Sequence, residues 1–177
     1  MTQDRTARRN DEHLDEHGGY GEHDAYDGGH TDGHTDGHDG DYEISTDPAR
    51  LDLGLVHHWL STDAYWARGR SRDVVETSVR NSLNFGVYGP AGRQVGYARV
   101  VTDRATFAWL CDVYIAREHR GRGLGRRLVA AVRDRLAPYA LQRVLLATDD
   151  AHELYAGAGF TAFPHPEKLM LLAGPPR

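Results

Sequence analysis

The 177-residue chain has a single cysteine, Cys111, so no disulfide can form within it. That excludes a disulfide-stapled scaffold and fits a reducing compartment. No stretch approaches the ~20 consecutive apolar residues of a membrane-spanning helix. The opening Met1-Thr2-Gln3-Asp4-Arg5 leads into no apolar run, and neither does Arg8-Arg9, which argues against an export signal. These absences make a cytoplasmic protein without a membrane partner the expectation.

Apolar residues are also nearly missing from Asp11 to Asp41, where Gly, Asp and His dominate. Such a segment cannot bury enough surface to offset its ordering entropy, so residues 1–41 are expected to be a disordered acidic tail. The tail holds three arginines against twelve acids, a net −9, whereas the remainder is +4. A mildly basic domain suits an anionic ligand, and equally a solvated basic surface. Within the tail, His30-Thr31-Asp32-Gly33 repeats as His34-Thr35-Asp36-Gly37 and ends on His38. A glycine in each repeat opposes a helix. Two readings stay open: a loose metal site on His30, His34 and His38, or a solubilising arm. The domain itself, residues 42–177, is expected to need no metal.

What is present beyond Tyr42 reads as alternating elements. Tyr42–Ser45 is a short strand. Thr46-Asp47-Pro48 offers a capping side chain and then proline, opening a helix through Leu51, Leu55 and Trp59. Asp73–Leu83 reads as a second helix, and Phe85–Tyr88 with Gln94–Val101 as a hairpin around Gly89-Pro90-Ala91-Gly92. Thr106–Ile115 is a third apolar run. Leu124, Leu128, Val132 and Leu136 recur every four residues, a strong amphipathic helix. Val144–Ala147 is a short apolar strand. Asp150-Ala151-His152-Glu153 resembles a capping box for a last helix stopped by Gly157 and Gly159, with Phe160–Phe163 and Lys168–Leu172 as closing strands. The order implies a mixed α+β domain.

The chemistry concentrates between the third apolar run and the long helix. Arg120-Gly121-Arg122-Gly123-Leu124-Gly125-Arg126 combines three glycines with unpaired helix-start amides, the positive end of the helix dipole and several guanidinium groups. That is a phosphate cradle in physical terms. It is not a Walker A loop, which needs GxxxxGK[ST]. Nor is it the dinucleotide GxGxxG, because Arg126 stands where the last glycine would be. No aromatic residues interleave with the arginines, so nucleic acid is not the expected partner.

This loop matches the R/Q-x-x-G-x-G/A pattern of the GNAT acetyltransferase superfamily. Ala151-His152-Glu153-Leu154-Tyr155-Ala156-Gly157-Ala158-Gly159-Phe160 resembles its second signature, A-x-x-L-Y-x-x-x-G-F, at the matching distance. The resemblance covers roughly 130 residues. It implies a central, mostly antiparallel sheet with helices on both faces, splayed between strands four and five. Acetyl-CoA would be the co-substrate, with its pyrophosphate on the amides of Arg120 to Arg126 and its pantetheine arm along Val113 and Ile115. A strand-four amide would polarise the thioester carbonyl. Tyr155 would protonate the departing thiolate, or merely pack against the sulfur.

Asp112 fits the position of acidic residues that contact the amine in some members, and equally a carboxylate serving the local backbone. His119 and His165 are further base candidates. Tyr65 and Trp66 fall where the acceptor groove is lined, or pack in the core. One departure is Thr148, where many members carry Asn. Cys111 in an apolar strand is a poor nucleophile, so direct transfer to a primary amine on a small molecule or protein is expected. An acyl-CoA sensor with little catalysis is the alternative, and a homodimer is one oligomeric state open to it.

Overall fold

The computed structural model describes residues 42–174. The acidic tail and its histidine repeat lie outside the described residues. Five strands form one sheet in chain order: β1 (Glu43–Ser45), β2 (Leu83–Tyr88), β3 (Gln94–Thr102), β4 (Phe107–Ile115) and β5 (Arg143–Leu145). The first four run antiparallel, and β5 is parallel to β4. Among the described residues four α-helices accompany them: α1 (Leu53–His58), α2 (Arg72–Arg80), α3 (Leu124–Leu136) and α4 (His152–Ala156).

Strand alternation decides which helix covers which face. Phe85 and Val87 of β2, Ala98 and Val100 of β3, and Ala108 and Leu110 of β4 turn one way and pack with Leu124, Leu128 and Val132 of α3. Tyr97 and Tyr114 turn the other way and pack with Val56, Trp59, Leu60, Val75 and Val79 from the α1–α2 side. The sheet is therefore covered on both faces, as expected. Gly96 leaves no room for a side chain between β3 and β4: an added β-carbon would meet Ile115 Cδ1 at 2.7 Å and the Tyr114 carbonyl oxygen at 3.0 Å.

The β4–β5 pairing stops early. It runs Phe107↔Arg143, Ala108↔Val144, Trp109↔Leu145 and no further. Beyond it, Leu110, Cys111, Tyr114 and Ile115 of β4 keep β3 partners, but residues 110–115 have no strand on the other side, which is the expected splay.

Three local expectations fail. The helix predicted from Thr46 is broken at Leu51. Asp47 caps a single 3-10 turn, Pro48–Arg50, through the Ala49 N–H (2.9 Å), and Asp52 then caps α1 through the Leu55 N–H (2.9 Å). Two competing capping aspartates divide one helix into two pieces. The predicted closing strands do not form. Residues 160–163 and 169–174 pair with no strand, and only a 3-10 turn, Pro166–Lys168, interrupts them. Pro164 and Pro166 supply no N–H to a ladder, and β5 offers only three residues to build on. Finally, the capping box at α4 is absent: Ala151 is the N-cap, and its N–H donates to the Thr148 hydroxyl (3.1 Å).

Candidate active site

The splay and the start of α3 open onto one groove of about 390 Å³. Val113 and Ile115 form one wall, Gly121, Gly123 and Gly125 the end beside α3, and Leu154 with Ala151 the opposite side. Tyr65, Trp66 and Asp150 stand at the groove as well. Of the site residues read from the sequence, Tyr65, Trp66, Val113, Ile115, Arg120, Gly121, Gly123, Leu124 and Gly125 line this groove, whereas Arg122, Arg126, Tyr155 and Asp112 do not.

The loop has the backbone a ligand cradle needs. Gly121 (φ +75°) and Gly123 (φ +76°) adopt the left-handed region, which glycine enters without steric cost. An added β-carbon at either would meet nothing within 4 Å, so the space above them is open. Gly123 is the N-cap of α3, and no side chain caps the helix. The first intrahelical bond runs from the Arg127 N–H to the Gly123 carbonyl (3.1 Å), which leaves the amides of Leu124, Gly125 and Arg126 for a ligand. Arg122 and Arg126 are exposed beside them. Arg120 turns back instead: its Nε donates to the Ile115 carbonyl (2.8 Å) and a terminal nitrogen to Asp63 (3.3 Å).

The unpaired half of β4 presents its backbone to this groove. Ala116 N–H donates to the Val95 carbonyl (2.9 Å), on the β3 side. By strand alternation, the backbone groups of Ile115 then point toward the open side. Arg120 covers the Ile115 carbonyl, leaving the Ile115 N–H on that side, and Val113, within the irregular step of β4, lines the groove as well.

A β-bulge makes that half possible. Tyr97 pairs with Tyr114 but Arg99 with Cys111, so β4 carries one residue more than β3 across the step. Asp112 lies in that step at φ +52°, a left-handed conformation that is rare for a side-chain-bearing residue. Its carboxylate is buried and accepts from Arg99 Nε (2.6 Å), an Arg70 terminal nitrogen (2.7 Å) and Trp66 Nε1 (3.1 Å). Burial works to raise this carboxyl. The hydrogen bond from Arg70 and the charges of Arg99 and Arg70 outweigh burial and hold it below the ordinary carboxylate range. A carboxylate so held is a poor proton acceptor, and what it does visibly is fix the Trp66 indole.

Tyr155 is half-buried, with its ring edge-on to Phe160 at 6.0 Å. Burial pushes its phenol up, and the charges of Asp150 and Tyr65 push in the same direction. The group therefore stays protonated at neutral pH. Cys111 is raised by burial too, which keeps it a thiol. His119 sits at the groove and shares a hydrogen bond between its Nδ1 and the Tyr42 hydroxyl (2.9 Å). His165 lies elsewhere, beside Glu167 (3.2 Å).

Several residues at the site escaped sequence reading. Trp59–Asp63 forms one π turn, closed by the Ala64 N–H to the Trp59 carbonyl (2.9 Å), and delivers Asp63 to the loop. Asp63 accepts from the Tyr114 hydroxyl (2.7 Å), Arg117 and Arg120. Hydrogen bonds from Arg117 and then Tyr114 lower its carboxyl to about 2. Arg70 and Arg99, the partners of Asp112, lie 42 and 13 residues from it in sequence. Asp150 was read only as a helix cap; it reaches Tyr65 instead, whose hydroxyl donates to it (3.3 Å). No motif marks any of these.

A larger apolar groove of about 860 Å³ lies between α3 and residues 158–169, and none of the predicted site residues except His165 lines it. Among the described residues, no group of three or more His, Cys, Asp or Glu side chains is placed to hold a metal, and no helix is long and apolar enough to cross a membrane.

The profile of the Acetyltransferase (GNAT) family matches residues 53–160, from α1 through the second signature. A Gibberella zeae protein named as an acetyltransferase is 36% identical over 135 residues, covering 66% of this chain and 76% of that one. Among solved structures, a GNAT-family protein of Xanthomonas campestris superposes with a TM-score of 0.71 at 45% identity, over 76% of this chain and 94% of its own. N-acetylglutamate synthase from Neisseria gonorrhoeae, solved with coenzyme A and N-acetyl-glutamate, shares the fold at a TM-score of 0.59 and 17% identity, over 72% of this chain and 30% of its own. With this match on the elements that build the groove, the chain belongs to the GNAT acetyltransferase family.

Proposed function

We propose that the protein transfers the acetyl group of acetyl-CoA directly to the nitrogen of a primary amine. The observation that carries this reading is the open half of β4. Residues 110–115 have no β5 partner, and the gap leads straight to a glycine loop whose amides are free. A long ligand with an anionic end and an amide-bearing arm fits that arrangement. The amides of Leu124 to Arg126, with Arg122 and Arg126 beside them, hold the pyrophosphate. The backbone of Val113 and the Ile115 N–H pair with the arm, and the Val113 N–H faces the thioester carbonyl, where it stabilises the developing oxyanion.

The acceptor reaches the thioester as a neutral amine after giving one proton to solvent. Its nitrogen forms the C–N bond, and collapse of the tetrahedral adduct breaks the C–S bond. The Tyr155 phenol supplies the proton to the departing sulfur, and the nitrogen releases its surplus proton, which restores the phenol through water. The raised phenol pKa suits this role, because the proton is held until a strongly basic thiolate appears. Asp112 acts one step back: it holds the bulge and the Trp66 ring. His165 lies outside this groove, and His119, on its lining, is bound to the Tyr42 hydroxyl.

Calorimetric titration of acetyl-CoA into the full chain, beside Gly123→Asp, tests the cradle. Micromolar binding that the variant loses by at least about tenfold, the effect of a carboxylate opposite phosphate, is expected. Equal binding by both proteins would sink the assignment. Free-thiol release with an amine acceptor then tests the chemistry. Tyr155→Phe should lower kcat by about 10²-fold or more with acetyl-CoA affinity kept. Tight binding with no thiol release across amines would point to a sensor.

A further inference from the structure

The groove has two ends of opposite character. At the α3 end its charged lining is arginine, Arg117 and Arg120, with Asp63 bound to both. At the other end the charged residue is Asp150, an exposed aspartate next to two aromatic rings. Tyr65 and Trp66 meet edge to face at 5.0 Å and 89°. They remain 47% and 44% exposed, a large aromatic surface left to water in a chain that buries Trp59 and Tyr97.

These rings are held, not loose. The Trp66 indole N–H is bound to Asp112, which two arginines pin in turn. The Tyr65 hydroxyl donates to Asp150 (3.3 Å). Burial, and then the charges of Asp150 and Asp149, raise the Tyr65 phenol. The two arginines that line the groove, Arg117 and Arg120, are both bound to Asp63. An aromatic shelf beside a carboxylate recognises an organic cation: the rings attract it through their faces and the carboxylate pairs with its charge.

We propose that Tyr65, Trp66 and Asp150 form the acceptor subsite and select amines that arrive as ammonium ions with an apolar flank and no neighbouring carboxylate. Asp150 is the specificity-determining residue and sorts acceptors by charge. The assignment of this end to the acceptor rests on the acetyltransferase reading; the binding of cations there does not.

The test compares three ligands of one skeleton on the full chain, with and without saturating acetyl-CoA: 2-phenylethylamine, phenylalanine, which adds a carboxylate, and 2-phenylethanol, which lacks the charge. Tryptophan fluorescence or calorimetry reports their dissociation constants for wild type, Asp150→Asn and Tyr65→Ala. Wild type should bind phenylethylamine most tightly. Asp150→Asn should weaken that ligand about tenfold or more and erase the preference for charge. Tyr65→Ala should weaken the amine and the alcohol alike. Both variants should keep a cooperative thermal transition, and their acetyl-CoA affinity should change by less than their amine affinity. Preference for phenylalanine or the alcohol, no saturable amine binding by wild type, or an Asp150→Asn variant that binds the amine like wild type would overturn the proposal. Failure of the acetyltransferase reading alone would show differently, as absent acetyl-CoA binding with the amine preference intact.

Discussion

The two halves of β4 do different work. Residues 107–109 all pair with β5, Ala108 and Trp109 pair with β3 as well, and the three alternate regularly, with Phe107 and Trp109 outward and Ala108 in the core. Residues 110–115 are paired on one side only, pass through a bulge, and carry a left-handed aspartate. The first half is held by its ladders. The second is held by a buried charge cluster below and by the close approach of Gly96 beside it. A strand freed on one edge offers its backbone to a ligand, and something other than a neighbouring strand has to keep it in place.

The largest effect should come from the charge cluster. Asp112→Ala leaves two half-buried guanidinium groups without their carboxylate and is expected to cost about 3–5 kcal/mol of stability by urea denaturation, as when one partner of a buried pair is removed. A loss below ~1 kcal/mol would mean that the bulge is held some other way. The next effect sets the halves against each other. Gly96→Val forces a side chain onto Ile115 and the Tyr114 carbonyl, and should cost about 1–3 kcal/mol and weaken acetyl-CoA binding. Trp109→Phe in the fully paired half should change stability by about 0.5 kcal/mol or less and leave binding intact. Equal effects on binding would erase the distinction between the halves.

The smallest effect is one of pH. The Asp112 carboxyl is held below its ordinary value of 3.8 in the folded chain. Its contribution is therefore fully present above that value and is lost as pH falls through the lower folded one, because the unfolded chain takes up the proton first. Stability should fall on acidification below about pH 4, and Asp112→Asn should show a shallower fall, read from thermal midpoints between pH 2 and 5. Parallel curves would show that Asp112 is not the group responsible.

Much of the site could be read from local pattern. The glycine loop, Tyr155 and the strand carrying Val113 and Ile115 depend on neighbours within a few residues, and the structure places the loop and that strand around one groove. α3 begins and ends where its four-residue apolar spacing does, at Leu124 and Leu136. The illegible parts depend on distant partners. Asp112 on its own could be a base or a backbone acceptor. Only Arg70 and Arg99 arriving from elsewhere make it a fixed anion. The helix predicted from Thr46 failed because Asp47 and Asp52 each cap a turn, a competition that periodicity does not register. The closing strands failed because strand pairing needs a partner edge, and β5 is too short to provide one.

The sequence by itself determined the hairpin, α3 and the glycine loop ahead of it, because periodicity and glycine conformational freedom act over a turn or two of chain. Tertiary structure decided which carboxylate faces the groove. Asp112 and Asp150 are chemically alike in a sequence, yet one is buried among arginines and the other stands in the open beside two aromatic rings. What a carboxylate does is set by the charges and the water around it, and those come from residues up to 85 positions away.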